Sequence, residues 1–202
     1  MDVLVNNAGY GLYCALEGVP QDEARRQFGV NVFGVVRLTR VVLPHVRERR
    51  GGTVVDVTSM GGKFYTLLGG WYHSTKFALE ALGDCLRLEG RPFGFDVVVI
   101  GPVGIRTEWS GIAAGDVAEF SLSGACCDQA VAVAILMRSE TMARWMSAPI
   151  VVAEAVGKAV TACRPRTRCA AGFSARPLVG LRCFLSGRAF GVLMSRAMSL
   201  PR

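Results

Sequence analysis

Tyr72-His73-Ser74-Thr75-Lys76 sets a phenol and an ammonium four residues apart. On a helix, positions i and i+4 share a face, so Lys76 lies one turn along from Tyr72. A neighbouring cation favours phenolate, which predicts a Tyr72 pKa drawn down from about 10 toward working pH. A tyrosine tuned in that way trades protons with an alcohol or a carbonyl. Ser59 adds a hydroxyl upstream. It follows Thr53-Val54-Val55-Asp56-Val57-Thr58, which reads as a buried parallel strand. Residues at the carboxyl ends of such strands border the ligand crevice, so Ser59, Tyr72 and Lys76 are expected to converge there. Taken alone, Tyr-x-x-x-Lys joins two common residue types, and a lysine one turn from a tyrosine is usually a solvated partner.

The elements that must position these groups alternate along the chain. Asp2-Val3-Leu4-Val5 is a strand that runs into an Asn-Asn-Ala-Gly turn. Pro20 opens a helix, with Gln21, Asp22 and Glu23 near the positive end of its dipole. The helix signal continues through Leu38 and Leu43 to Arg47-Glu48-Arg49-Arg50-Gly51-Gly52, with Asn31 inside it. The strand Thr53–Thr58 delivers Ser59, the pattern of residues 71–89 predicts the helix carrying Tyr72 and Lys76, and Asp96–Ile100 is a third strand. Beyond Thr107 the pattern is irregular to about Ser147, broken by Gly111, Gly115, Ser121, Ser123 and Gly124 before a helix at Asp128–Met137. A helix at Val151–Cys163, a short strand at Arg166–Ala171 and one amphipathic piece at Pro177–Met198 complete the reading. Strands alternating with helices predict an α/β doubly wound sheet. Without a repeat or linker, residues 1–202 read as a single domain, with 108–147 as a substrate lid and 151–202 as a basic C-terminal segment.

Composition narrows the class. The chain has 202 residues, 51% hydrophobic and 19% charged, which excludes a disordered chain. No uncharged apolar run approaches the roughly 18 residues that span a bilayer, and the start has no signal-peptide pattern. Seven cysteines without a Cys-x-x-Cys pair argue against a disulfide framework or a zinc site and fit a reducing cytoplasm, with Cys126-Cys127 read as packing. The net charge is +7. From Val151 onward Glu154 is the sole acid against Lys158, Arg164, Arg166, Arg168, Arg176, Arg182, Arg188, Arg196 and Arg202. These cations are spaced among apolar residues, which reads as a solvated face in preference to a nucleic-acid site. A weaker reading lays the tail, with Phe184, Leu185, Phe190 and Leu193, on an anionic membrane surface. His73 and His45 read as packing or surface residues.

Two further matches accompany Ser59, Tyr72 and Lys76: Asn6-Asn7-Ala8-Gly9 after the first strand, and Asn31 in Val30-Asn31-Val32-Phe33-Gly34. In this order and at these separations the chain resembles the short-chain dehydrogenase/reductase family over nearly its whole length. The resemblance implies a Rossmann-like doubly wound parallel sheet and an oxidoreductase that interconverts an alcohol and a ketone or aldehyde with NAD or NADP. It makes Tyr72 the acid/base and Ser59 the holder of the substrate oxygen. Lys76 would tune the phenol and bind the nicotinamide ribose, and Asn31 would position water in a proton relay. Asn6, Ala8 and Gly9 match the turn along the adenosine side, while Pro102 and Thr107 match a Pro-Gly-x-x-x-Thr segment around the nicotinamide. Val103 stands where that segment has glycine, so its side chain is expected to crowd the nicotinamide or to conflict with the required backbone angle. The resemblance also implies a homo-oligomer.

One family feature is absent from the sequence. Members open with a strand and a turn resembling Thr-Gly-x-x-x-Gly-x-Gly that cradles the pyrophosphate on a helix N-terminus. The sheet is therefore expected to lack its first strands and the Gly-rich cofactor loop, on the order of 70 residues, and Asp2–Asn6 to become an open apolar edge. Two expectations follow. Either a longer bacterial reading frame was entered at an internal valine codon, or the chain is a non-catalytic relic or binding module. Trp71, Phe64, Tyr65 and Trp109 are candidates to line a pocket for a bulky hydrophobic carbonyl or alcohol.

Overall fold

The computed structural model describes residues 1–121, 124–173 and 175–198. Ser123 and Arg202, and the side chain of Arg176, lie outside the described residues. Four strands form one parallel sheet in the order β1 (Val3–Asn6), β2 (Thr53–Val57), β3 (Asp96–Pro102) and β4 (Arg168–Ala171). Register runs Val5 to Val55 and Val55 to Val98, with Ile100 opposite Cys169. All the connections are crossovers carrying helices, as parallel pairing demands.

Alternation along the strands divides the core. Val54 and Val97 face α2 (Val35–Glu48) and α3 (Gly70–Gly90), packing with Val42, Val46, Phe95 and Leu86. Val55, Val98 and Ile100 face α7 (Ile150–Thr161) and meet Val152, Ala155 and Ala159. Both faces being covered, the strands are nearly continuous in Val and Ile, which is why they were legible. β1 is an edge strand, and Val3 and Val5 on one of its faces are 37% and 40% exposed.

Three expectations need correction. The long helix after Pro20 is α1 (Gln21–Phe28), then a π-helical turn over Gly29–Gly34, then α2. Such one-turn widenings accompany functional sites, and this one carries the fully buried Asn31. The segment read as irregular is helical in α4 (Trp109–Ser121) and the short α6 (Glu140–Arg144), on either side of α5 (Cys127–Arg138), which is the helix expected at Asp128–Met137. Gly111 and Gly115 stay inside α4 because Ala113, Val117, Ala130 and Val133 interlock at zero to one per cent exposure, and that packing overrides glycine's weak helix preference. The final piece is two helices, α8 (Ala175–Phe184) and α9 (Gly187–Ala197), separated where Ser186 caps α9 by accepting from the Ala189 amide at 3.3 Å. Among the described residues no helix is long and apolar enough to cross a membrane, and no three His, Cys, Asp or Glu side chains cluster for a metal.

Candidate active site

The carboxyl ends of β1, β2 and β3 deliver the candidate groups side by side. Ser59 follows β2 in extended backbone and caps the short turn Met60–Gly62, its Oγ accepting from the Gly61 amide at 3.0 Å. The same hydroxyl points to the Pro102 carbonyl at the end of β3, 3.4 Å away. Tyr72, in the first turn of α3, is buried with its phenol beside the Ser59 hydroxyl. Lys76 follows one turn later, its Nζ donating to the Val57 carbonyl at 3.3 Å and standing 5.8 Å from the Tyr72 ring centre.

Electrostatics in this corner depart from the expected pattern. Burial raises the Tyr72 pKa, and the neighbouring Ser59 hydroxyl opposes the rise. The expected depression by Lys76 is not what sets this phenol: both side chains are buried, and desolvation dominates each. Burial also pushes the Lys76 ammonium down, to about 8.

Asn31 meets the β1 turn. Its Nδ2 donates to the Tyr10 carbonyl at 2.8 Å and to Thr75 Oγ1 at 3.1 Å, while its Oδ1 accepts from the Tyr10 amide at 3.0 Å. The asparagine thus clamps one residue of the turn to α3. Gly9, exposed, leaves little space for a side chain: a β-carbon there would lie 3.1 Å from Asn31 Oδ1 and 3.6 Å from Lys76 Nζ. Ala8 beside it is exposed. Asn6 lies beneath, with its amide nitrogen spent on Thr39 at 3.1 Å and Asp56 at 2.8 Å.

On the far side, Pro102 ends β3 opposite Ala171, and Val103 donates to the Ala171 carbonyl at 2.9 Å. The expected backbone conflict at Val103 does not arise. The left-handed position is the next residue, Gly104, at φ 55°, and the Val103 side chain packs against the cluster of Met60, Phe64 and Phe190. Thr107 is exposed and its Oγ1 accepts from the Trp109 amide at 3.3 Å at the start of α4.

Aromatic rings close the space over the phenol. Tyr13 and Trp109 stand 5.7 and 5.3 Å from the Tyr72 ring centre, and 5.5 Å from each other. The other aromatic candidates pack elsewhere: Trp71 on Phe28, and Phe64 and Tyr65 on Phe190. Tyr13, its phenol pushed far up by burial, escapes sequence reasoning because nothing in the run Gly11-Leu12-Tyr13 marks it; only the fold brings it to Tyr72. A cavity of about 1080 Å³ opens instead along β4 and α7, lined by Lys63, Glu80, Lys158 and Arg168 and by none of Asn31, Ser59, Tyr72 and Lys76. At its wall Glu80 is ion-paired to Lys63 at 2.8 Å and to Arg168, so part of the basic tail is internally neutralised.

The chain is similar to known proteins. A family model described as short chain dehydrogenase matches residues 1–114. The 3-ketodihydrosphingosine reductase of Bacteroides thetaiotaomicron is 39% identical over 107 residues, covering 53% of this chain and 40% of that protein. Retinol dehydrogenase 8 of Homo sapiens is 37% identical over 122 residues, covering 59% and 39%. The chain thus spans about two fifths of the length of these curated relatives. The crystal structure of a short-chain dehydrogenase from Streptomyces avermitilis superposes with a TM-score of 0.74 at 28% identity, covering 98% of this chain and 69% of that one. The 3-ketoacyl-(acyl-carrier-protein) reductase from Brucella melitensis, solved in complex with NADH, gives 0.54 at 28% identity over 73% of this chain and 63% of that one. With the family model matched over more than half of its residues, the chain belongs to the short-chain dehydrogenase family.

Proposed function

We propose that this chain belongs to an NAD(P)-dependent oxidoreductase that interconverts an alcohol and a ketone or aldehyde on an apolar small molecule. The observation that carries the reading is the buried Tyr72 phenol beside the Ser59 hydroxyl, with the Lys76 ammonium one helical turn away. Two relatives bear names for the two directions of that reaction, a ketone reductase and an alcohol dehydrogenase.

The residues present fit the nicotinamide half of a dinucleotide. Lys76 spends one of its three N–H donors on Val57, which leaves two for ribose hydroxyls. Gly9 keeps the floor beside it free of a side chain. Ala8 and Gly9 would border the cofactor, with Pro102, Val103 and Thr107 on the opposite side. The bound cofactor supplies or accepts the hydride.

The protein's own groups handle the proton. In reduction, Tyr72 gives its phenolic proton to the substrate oxygen while the Ser59 hydroxyl holds that oxygen by a hydrogen bond. Burial keeps the phenol protonated until the substrate arrives. Lys76, with a pKa near 8, exchanges protons at neutral pH and returns one to the tyrosine. Asn31 fixes the Tyr10 turn and thereby the wall of that route. Tyr13 and Trp109 exclude water and present apolar faces, which selects a hydrophobic substrate.

The alternative reading is a non-catalytic relic or binding module. Titrating the purified chain with NADPH and NADH, then following nicotinamide absorbance with an apolar ketone, separates the two. Binding with Tyr72-dependent turnover is expected. A folded protein that binds neither nucleotide would favour the relic or binding module.

A further inference from the structure

His73 follows Tyr72 on α3, and its imidazole, 5% exposed, stands edge-on to the Tyr72 ring at 5.6 Å between centres. Its Nδ1 lies 2.8 Å from the Gly61 carbonyl. Its Nε2 lies 3.0 Å from the Thr66 amide, 2.9 Å from Thr66 Oγ1 and 3.3 Å from Tyr13 Oη. A carbonyl only accepts and an amide only donates, so Nδ1 must carry the proton and Nε2 must accept. The hydroxyls follow the same direction, Tyr13 donating to Thr66 Oγ1 at 3.2 Å and Thr66 donating to Nε2.

The surrounding backbone is shaped to this ring. A β-carbon on Gly61 would come within 2.9 Å of Nδ1, and one on Gly69 within 2.6 Å of Cδ2 and Nε2. Gly61 is also the residue whose amide donates to Ser59 Oγ, so its peptide groups link the imidazole to the serine. On the other side Tyr13 passes the contact to the Tyr72 ring.

We propose that His73 is a positioning residue, locked as the neutral Nδ1–H tautomer, which ties the Ser59 turn to the Tyr13–Thr66 wall and so sets the Ser59 hydroxyl against the Tyr72 phenol. This rests on the catalytic reading of Ser59 and Tyr72 given above. The groups facing the ring are the Tyr13 and Tyr72 phenols, Thr66 and the Gly61 carbonyl, and burial lowers its pKa. A second ring proton would set an N–H against the Thr66 N–H, which cannot turn round to accept.

Two measurements test the proposal. Nitrogen-15 NMR of the histidine-labelled chain needs no activity: a neutral His73 protonated on Nδ1 is expected, and an Nε2–H tautomer would overturn the lock. The second compares His73→Asn, whose amide reproduces the donor to Gly61, with His73→Phe, which fills the space without a donor. In active enzyme the phenylalanine variant should lose on the order of 10²-fold in kcat/KM, the cost of a misplaced hydroxyl, and the asparagine variant should recover most of it. Equal losses in both variants, or no loss in either, would reduce His73 to packing. If the parent protein shows no turnover, the catalytic reading fails by itself and the NMR result still decides the tautomer.

Discussion

The Nζ of Lys76 finds the Val57 carbonyl at 3.3 Å, and among the described residues no carboxylate forms an ion pair with it. A buried ammonium held by one carbonyl costs stability, which is why its pKa falls from the usual 10.5 to about 8. The sign follows from proton counts. Below pH 8 both folded and unfolded chains hold the proton and the full cost is present. Between about 8 and 10.5 the unfolded chain binds more protons, so stability rises with pH through that window. Lys76→Met removes the charge. It should therefore be more stable than the parent at neutral pH, by on the order of 2 kcal/mol once the lost carbonyl bond is allowed for. Denaturant melts at about pH 7 and pH 10 check this, the gap narrowing at the higher pH, while oxidoreductase turnover is lost at both.

Tyr72→Phe removes the proton donor and leaves the ring between Tyr13 and Trp109. Turnover should fall by about 10³-fold with little change in melting temperature, because general acid catalysis contributes on that scale. Ser59→Ala should cost kcat and also loosen the Met60–Gly62 turn, whose Gly61 amide loses its acceptor. Kinetics and melts on the same two preparations separate these effects.

The placement of Tyr72, Lys76 and Ser59 at one corner was legible because it depends on spacing along single elements. Tyr72 and Lys76 are one turn apart in any helix, and Ser59 ends a strand whose Val-rich pattern could be little else. What could not be read comes from contacts distant in sequence. Tyr13 meets Tyr72 across 59 positions and Ser121 meets the Ala15 amide across 106, so α4 was misread from its glycines while the packing that holds it was invisible. The tuning of Tyr72 was misjudged for the same reason, since burial is a property of the assembled wall.

Asn6 donates to Asp56 Oδ1 at 2.8 Å between two buried strand ends. Burial raises the Asp56 pKa and the asparagine opposes the rise. Asn6→Leu should destabilise the protein by about 1–3 kcal/mol at neutral pH by stranding a buried carboxylate. A carboxyl with a raised pKa binds more protons folded than unfolded, so the deficit should shrink as pH falls through its titration. Asp56→Asn in the same background should recover much of the loss, as read by urea midpoints.

Gly11 and Trp109 occupy one space. A β-carbon on Gly11 would lie 2.4 Å from Trp109 Cζ2, against a ring that also packs on Tyr13 and Tyr72. Gly11→Ala must displace the indole and should cost about 1–3 kcal/mol through overpacking. Trp109→Ala removes the wall above the phenol. It should lower stability, since the indole anchors the first turn of α4 on the core, and it should admit bulkier ketones, seen as a smaller KM penalty for branched substrates than in the parent. If the two residues compete for the same volume, the glycine substitution should be nearly neutral once the tryptophan is gone, giving a coupling of about 1–3 kcal/mol in a double-mutant cycle. Additive losses would mean that Gly11 is needed for its backbone alone, and the indole would then not be what shapes the entrance to Tyr72.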